Sequence, residues 1–399
     1  MQLNDNLGHL TYCTNIHAGE TWEEIFGGIQ KHLPSVKAEL SPNAPLGLGL
    51  RLSAAAGETL CDPEKFSEFQ AFLKEGDYYI FTLNGFPYGT FHGQPIKEGA
   101  YRPDWSDPAR LSYTNTLADH LVKWLPDGME GSISTVPGTY KAWITGSDGP
   151  QIIEAIGDNI IRHVAHLIEI KTKFGKTINL ALEPEPCCLI ETIEETISFF
   201  RDHLFSKRAV SLLGELTGLS ESEAVKAIRL HVGVCYDVCH AAVEFEDAQS
   251  SLDALKHAGI KISKLQLSSA LRIPSVGTST AAQLDAMNEP VYMHQVIEHN
   301  NGKITRFSDL PDALATIDSA QGAEWRIHFH VPIFLEEMQD LGTTQQFLQE
   351  VLAIHKADPV TAQLEVETYT WDVLPDEYRT AGLSTAIARE LTWVRDRLV

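Results

Sequence analysis

Long apolar runs are missing from this 399-residue chain. None approaches the roughly 18 residues of a membrane-spanning helix, so no membrane span is expected. Basic stretches are equally scarce. Lys and Arg total 31 against 54 Asp and Glu, a formal charge of −23, and no positive run offers a phosphate backbone a partner. Nucleic acid is therefore not an expected ligand. The six cysteines (Cys13, Cys61, Cys187, Cys188, Cys235 and Cys239) follow no framework spacing. Cys235-x-x-x-Cys239 is not the CxxC of redox or zinc motifs, and the adjacent Cys187–Cys188 pair makes a poor bridge, which points to free thiols in a reducing compartment. The opening MQLNDNLGHLTY lacks the basic and apolar regions of a secretory signal, so a cytoplasmic protein is expected. Also absent are a phosphate-cradling GxxxxGKS/T, a GxSxG nucleophile elbow and a GxGxxG after a strand; Gly47-x-Gly49 falls inside one.

What the chain does contain is alternation. Hydrophobic content of 43% is enough for a sizeable core. Strands are expected at Leu10–His17, Leu46–Ser53, Tyr78–Gly85, Ser132–Val136, Ile178–Glu183, Val232–Tyr236, Ile262–Ser269, Arg326–Phe334 and Gln363–Trp371. Between them the periodicity predicts helices near 21–32, 63–75, 108–124, 151–173, 189–205, 220–230, 310–319, 343–357 and 384–398. Such alternation favours one parallel α/β barrel over residues 1–399, with long βα loops. The third-strand loop, Gly85 to Trp105, is rich in Gly, Pro and aromatic residues, and Phe86, Tyr88, Phe91, Tyr101 and Trp105 are candidates to wall a pocket. Asn301-Gly302 between alternating runs predicts a hairpin inserted in the barrel rim near 288–308. The strand count exceeds eight by one, so Ile262–Ser269 and Arg326–Phe334 compete for seventh place.

The acids stand where strands stop. Glu183 and Glu185 end the fifth strand, Asp237 ends HVGVCYD with His240 three residues on, and Glu367 ends QLEVE. In RIHFHV, His328 and His330 alternate onto one face. The carboxyl ends of parallel strands are where α/β folds place their chemistry. Glu183, Asp237, His330 and Glu367 thus form a candidate set for one divalent ion (Mn²⁺, Mg²⁺, Zn²⁺ or Co²⁺), since carboxylates crowded at one mouth repel without a cation. The bland alternative is that each acid caps a neighbouring helix. Glu185 and His240 are candidate substrate contacts, as are His17, Arg51, Asn84, His92 and Arg102, which end or follow early strands.

LALEP, CYDVCH, IHFHV and LEVET resemble, in order, the metal-binding signatures of the xylose isomerase-like barrel superfamily, which includes sugar epimerases and endonuclease IV. The resemblance implies a (β/α)8 TIM barrel. One departure stands out. In sugar epimerases the histidine-bearing strand directly follows the aspartate strand, whereas here that place holds KLQLSS with Gln266. Either Gln266 supplies an amide oxygen as third ligand, or an insertion intervenes and His330 keeps the role; we favour His330. Nearly end to end, the chain also resembles the EboE family of metabolite traffic proteins, through LTYCTNIHAGETW, NGFPYGTFHG, YRPDW, HFHVPIF and LEVETYTW. That resemblance implies a genetic setting beside prenyltransferase-like and sugar-phosphate-cyclase-like proteins, hence pathway partner proteins.

Together these features lead to a metal-dependent isomerase or epimerase acting on a sugar- or cyclitol-like polyol. Glu183 and Glu367 would be its catalytic acid–base pair. The alternative is a non-catalytic barrel that binds and hands on a metabolite. Endonuclease-like cleavage conflicts with the charge of −23.

Overall fold

A computed structural model describes residues 1–4, 6–90 and 95–398. Seven parallel strands come first: β1 (His9–Tyr12), β2 (Leu46–Arg51), β3 (Tyr78–Asn84), β4 (Gly131–Thr135), β5 (Ile178–Leu182), β6 (Val232–Asp237) and β7 (Lys261–Leu267). Six strands of a separate sheet follow: β8 (Ala270–Ile273), β9 (Val296–Asn300), β10 (Lys303–Phe307), β11 (Glu324–His330), β12 (Glu337–Met338) and β13 (Leu341–Thr343). Then β14 (Gln363–Val366) slots between β1 and β7 to complete eight parallel strands in a nearly closed barrel, as expected.

The seam between β1 and β2 carries one parallel bridge, Cys13 with Gly49. Side-chain hydroxyls take over the remaining backbone groups there. Thr11 Oγ1 donates to Gly47 O (2.8 Å) and accepts from Gly49 N–H (2.9 Å), while Arg51 N–H donates to Thr14 Oγ1 (2.8 Å). Buried backbone donors need partners, and these threonines supply them where the ladder stops.

Helices cover the outside, several of them started by a capping side chain. Thr21 and Glu24 form a capping box at Trp22–Leu40, Asp62 and Asp107 cap Pro63–Glu75 and Pro108–Trp124, and Thr192 with Glu195 caps Ile193–Phe199. Among the helices that escape the periodicity analysis are Lys207–Thr217 and Ala248–Ala258. The second buries only Ala248, Ser251, Leu252 and Leu255, too small and polar a stripe to stand out.

The competition for seventh place goes to β7, and Arg326–Phe334 does not join the barrel. Its strand, β11, sits inside a six-stranded antiparallel sheet ordered β10-β9-β11-β8-β13-β12. Trp325, Ile327 and Phe329 are fully buried on one face while His328 and His330 are buried on the other. A strand covered on both sides reads like a barrel strand, which explains the ambiguity. The β9–β10 hairpin turns at Asn301 and Gly302, both at positive φ (50° and 82°), the pattern of a type I′ turn.

The lumen is unusually polar for a barrel, whose interior is ordinarily filled by Val, Ile and Leu. Ser132 on β4 donates across to Gln363 Oε1 on β14 (2.6 Å). One layer higher, Lys264 Nζ lies 2.5 Å from Glu365 Oε1 and donates to Ser134 Oγ (3.2 Å); both charged side chains are fully buried. Gly49 makes room for this pair, because a Cβ there would stand 1.9 Å from Glu365 Oε2. Above them lies the barrel mouth.

Candidate metal centre

Three strand ends deliver carboxylates to that mouth. Glu183 follows β5, Asp237 ends β6, and Glu367 follows β14; one oxygen from each lies within 4.8 Å of the other two. All three residues are buried. Asp237 caps a helix with one oxygen and leaves the other without a hydrogen bond. Its Oδ1 accepts the His240 N–H (3.1 Å) and the Ser268 hydroxyl (2.6 Å), capping the helix Val238–Val243, while its buried Oδ2 has no hydrogen-bond partner. Glu183 Oε2 is likewise buried and unpartnered. Glu367 is held differently, its Oε1 accepting from Asn15 Nδ2 (2.7 Å) and Asn84 Nδ2 (3.1 Å).

His330 arrives from the second sheet. Its Nδ1–H donates to the Glu367 backbone carbonyl (3.0 Å), so the Nε2 carries the lone pair, and that buried atom has no hydrogen bond. Ligand atoms of Asp237, His240 and His330 also lie within 4.8 Å of one another. An imidazole oriented by a carbonyl on one nitrogen and presenting the other beside acids is the usual arrangement of a metal-binding histidine. Orphaned buried acceptors are rare and costly, and here Asp237 belongs both to the carboxylate group with Glu183 and to the group with His330. Glu183, Asp237 and Glu367 therefore fit a divalent cation, with His330 within reach of Asp237.

Electrostatics agree. Burial first, then Glu367 and Asp237, push the Glu183 carboxyl well above its usual range. Burial also raises Glu367, against the stabilising pull of His330 and Lys264. Glu185 is pushed up to about 8 by burial, although the Tyr101 hydroxyl donates to its Oε1 (2.8 Å). A nearby cation reverses each of these shifts by favouring the ionised form.

Above the acids opens a cavity of about 540 Å³, its mouth included. Phe86, Pro87, Tyr101, Tyr292 and Tyr369 wall it. Of the sequence candidates, Asn84, Glu183, Glu185, His240 and Glu367 line it. Gln266 sits opposite Asp237 in the β6–β7 register, fully buried, with its Oε1 accepting the Cys235 thiol (2.8 Å).

Other candidates lie elsewhere. His17 contacts the Tyr12 hydroxyl (3.1 Å), stacks on His32 and borders a separate open groove. Arg51 is an interior tie, donating to the Gly19 and Gly89 carbonyls (2.7 Å each) and pairing with Glu20. Arg102 is exposed and packs over the Trp143 ring (3.8 Å). Tyr88 packs on Tyr113, and Trp105 donates to Thr135 in the core. His92 and Phe91 lie outside the described residues. Sequence reasoning misses Asn15, whose only signal is its place between the first strand and His17, and it misses the Lys264–Glu365 pair.

These features define a βα barrel whose strand ends gather acids and imidazoles beneath an aromatic cavity. No family model and no curated protein matches the chain. Among solved structures it is similar to a probable 3-DHS dehydratase, AsbF, of Bacillus anthracis (12% identity, 96% of this chain and 97% of that one, TM-score 0.47). It is also similar to a xylose isomerase-like TIM barrel protein of Mycobacterium smegmatis in complex with magnesium (10%, 93% and 88%, TM-score 0.48). A third is the IOLI protein with a binding zinc atom (12%, 98% and 98%, TM-score 0.44). At such identities the roles of individual side chains rest on this chain's own geometry. Among the described residues, no helix is long and apolar enough to cross a membrane.

Proposed function

We propose that the chain is a metal-dependent isomerase or epimerase of a sugar- or cyclitol-like polyol. The observation that carries this reading is the gathering of Glu183, Asp237 and Glu367 at the barrel mouth, with Glu183 Oε2 and Asp237 Oδ2 buried and unpartnered, below a cavity that Glu183 and Glu367 line. Glu183, Asp237, His330 and Glu367 would hold the cation. When bound, a divalent ion polarises a carbonyl and eases negative charge onto adjacent oxygens.

The protein's own groups do the rest. Asn15 and Asn84 fix Glu367 through Oε1, leaving Oε2 to face its neighbours. Glu183 has no comparable tether on Oε2, which suits a carboxylate that takes up and returns a proton. Glu367 serves as its counterpart. Glu185, held by Tyr101, meets a substrate hydroxyl, and Tyr292 and Tyr369 help exclude water. Lys264 lies beneath and offsets part of the negative charge. The resemblance to the EboE family rests on sequence motifs alone and adds a setting in a metabolite pathway. Six free cysteines support a reducing, cytoplasmic compartment.

The test follows hydrogen rather than product. A panel of sugars, sugar phosphates and cyclitols is screened for binding, and each ligand found is incubated with the protein in deuterated water. Wild type should wash deuterium into a carbon-bound position, whereas Glu183→Gln and Glu367→Gln should bind and fail to exchange. Tight binding without exchange by the wild-type protein overturns the isomerase reading in favour of a carrier.

A further inference from the structure

Two histidines beside the carboxylate centre face each other in a way that hydrogen bonding does not explain. His240 follows β6, and His328 comes from β11 of the second sheet. Their Nε2 atoms are 3.1 Å apart, a hydrogen-bond distance. One of the two would have to donate. The other ring nitrogens decide whether either does.

His240 Nδ1 lies 2.9 Å from the Pro184 carbonyl oxygen. A carbonyl only accepts, so that nitrogen carries the proton and His240 Nε2 bears a lone pair. His328 Nδ1 lies 2.8 Å from Gln295 Oε1. The Gln295 amide is oriented by its nitrogen, which donates to the Pro186 carbonyl (3.2 Å) and to the Tyr101 hydroxyl (2.9 Å). The oxygen therefore faces His328, Nδ1 donates to it, and His328 Nε2 bears a lone pair as well. Both assignments rest on groups that cannot donate. The result is two lone pairs pointed at each other in a buried place.

A cation removes that conflict. Two imidazole nitrogens on one tetrahedral Zn²⁺, each about 2.05 Å from it, stand roughly 3.3 Å apart, close to the spacing here. A third ligand is in reach, since an oxygen of Glu185 and ring nitrogens of His240 and His328 lie within 4.8 Å of one another. The Cys239 thiol lies within 4.8 Å of ring nitrogens of His328 and His330. Each imidazole is oriented by an acceptor on its far nitrogen, the arrangement that fixes metal-binding histidines.

We infer that His240, His328 and Glu185 hold a second divalent cation beside the carboxylate centre, of borderline-soft character such as Zn²⁺ or Co²⁺. Ligand type separates the two positions. The first is dominated by carboxylates and accepts harder ions. The second is dominated by imidazole, with a thiol nearby, and favours Zn²⁺ or Co²⁺. Its three ligands are not those assigned to the first cation, and it gives Glu185 to the second ion in place of a substrate hydroxyl.

Metal counting tests it. Wild type, His328→Asn, Glu185→Gln and Glu367→Gln are loaded with Zn²⁺, desalted and assayed for zinc, with circular dichroism confirming the fold. Two equivalents are expected in wild type. His328→Asn should retain one and Glu185→Gln fewer than two. Glu367→Gln should also retain one, and Co²⁺ in that variant should give the visible absorption of a nitrogen-rich tetrahedral site. One equivalent in wild type that Glu367→Gln loses and His328→Asn keeps overturns this inference alone. No zinc in wild type overturns this inference, while the first site answers to Mn²⁺ binding.

Discussion

The buried Lys264–Glu365 pair gives the sharpest stability test. Both side chains are fully buried, 2.5 Å apart, at the centre of the barrel. Burial penalises both charged forms, yet Glu365 and neighbouring thiols hold the Lys264 ammonium well above its usual range. Lys264→Met fills similar volume but leaves Glu365 without its partner. Breaking one side of a buried pair costs about 3–5 kcal/mol. Unfolding entropy scales at about 2.1 cal/mol/K per residue, which for a chain of this length is about 0.8 kcal/mol per degree. A drop in melting temperature of about 4–6 °C is therefore expected. Adding Glu365→Gln should recover most of it, because a neutral pair avoids the buried charge. Differential scanning calorimetry of wild type, both single variants and the double variant closes the cycle. A Lys264→Met loss below about 1 kcal/mol, or a double variant no more stable than Lys264→Met, would refute the reasoning.

Two further perturbations probe the same frame. Gly49→Ala would place a Cβ 1.9 Å from Glu365 Oε2 and 2.6 Å from the Tyr12 carbonyl, so the β1–β2 seam must shift. A loss of about 1–3 kcal/mol is expected in urea unfolding, and an unchanged midpoint would contradict the packing described. Glu390, whose carboxylate accepts the Thr368 hydroxyl and the Ile333 amide, is pushed up to about 7 by burial. Its folded-state pKa is raised, so its stabilisation is fully present below about pH 4.5 and is lost as pH rises through about 7. Wild-type stability relative to Glu390→Gln should fall by roughly 2–3 kcal/mol between pH 5 and pH 9; parallel curves would assign that pH dependence to other groups.

Much of the barrel was legible because its strands and helices obey simple periods. Helices Pro63–Glu75 and Pro108–Trp124 begin at Pro after a capping Asp, and the structure starts and ends them where the sequence does. Glu183, Asp237 and Glu367 were legible for another reason: an acid ending an apolar run has few places to go except the strand end. The second sheet was not. β8, β12 and β13 are four, two and three residues long, too short for alternation to register. With those neighbours invisible, β11 looked like a barrel strand, although its histidines still reach the barrel mouth. His17 and Arg51 illustrate a further limit. Arg51 ends β2 and His17 follows the short turn after β1, but Tyr12 claims the His17 ring and backbone carbonyls claim the Arg51 guanidinium. Which strand-end polar groups remain unclaimed is settled by partners distant in sequence, as Asn15 and Glu367 show across 352 positions.

The central claim is that four particular side chains hold a divalent cation, and Mn²⁺ binding to wild type, His330→Ala and Gln266→Ala tests it most directly. Mn²⁺ suits the carboxylate-rich position. A ligand bound only by the folded state at about a hundred times its dissociation constant adds about 2.7 kcal/mol. At about 0.8 kcal/mol per degree that is a rise of about 3 °C in melting temperature. Wild type and Gln266→Ala should show this rise and retain the ion, while His330→Ala should show neither. A wild-type protein that binds no Mn²⁺ and gains no stability from it would contradict the account. Loss in Gln266→Ala with retention in His330→Ala would move the third ligand from the second sheet to β7.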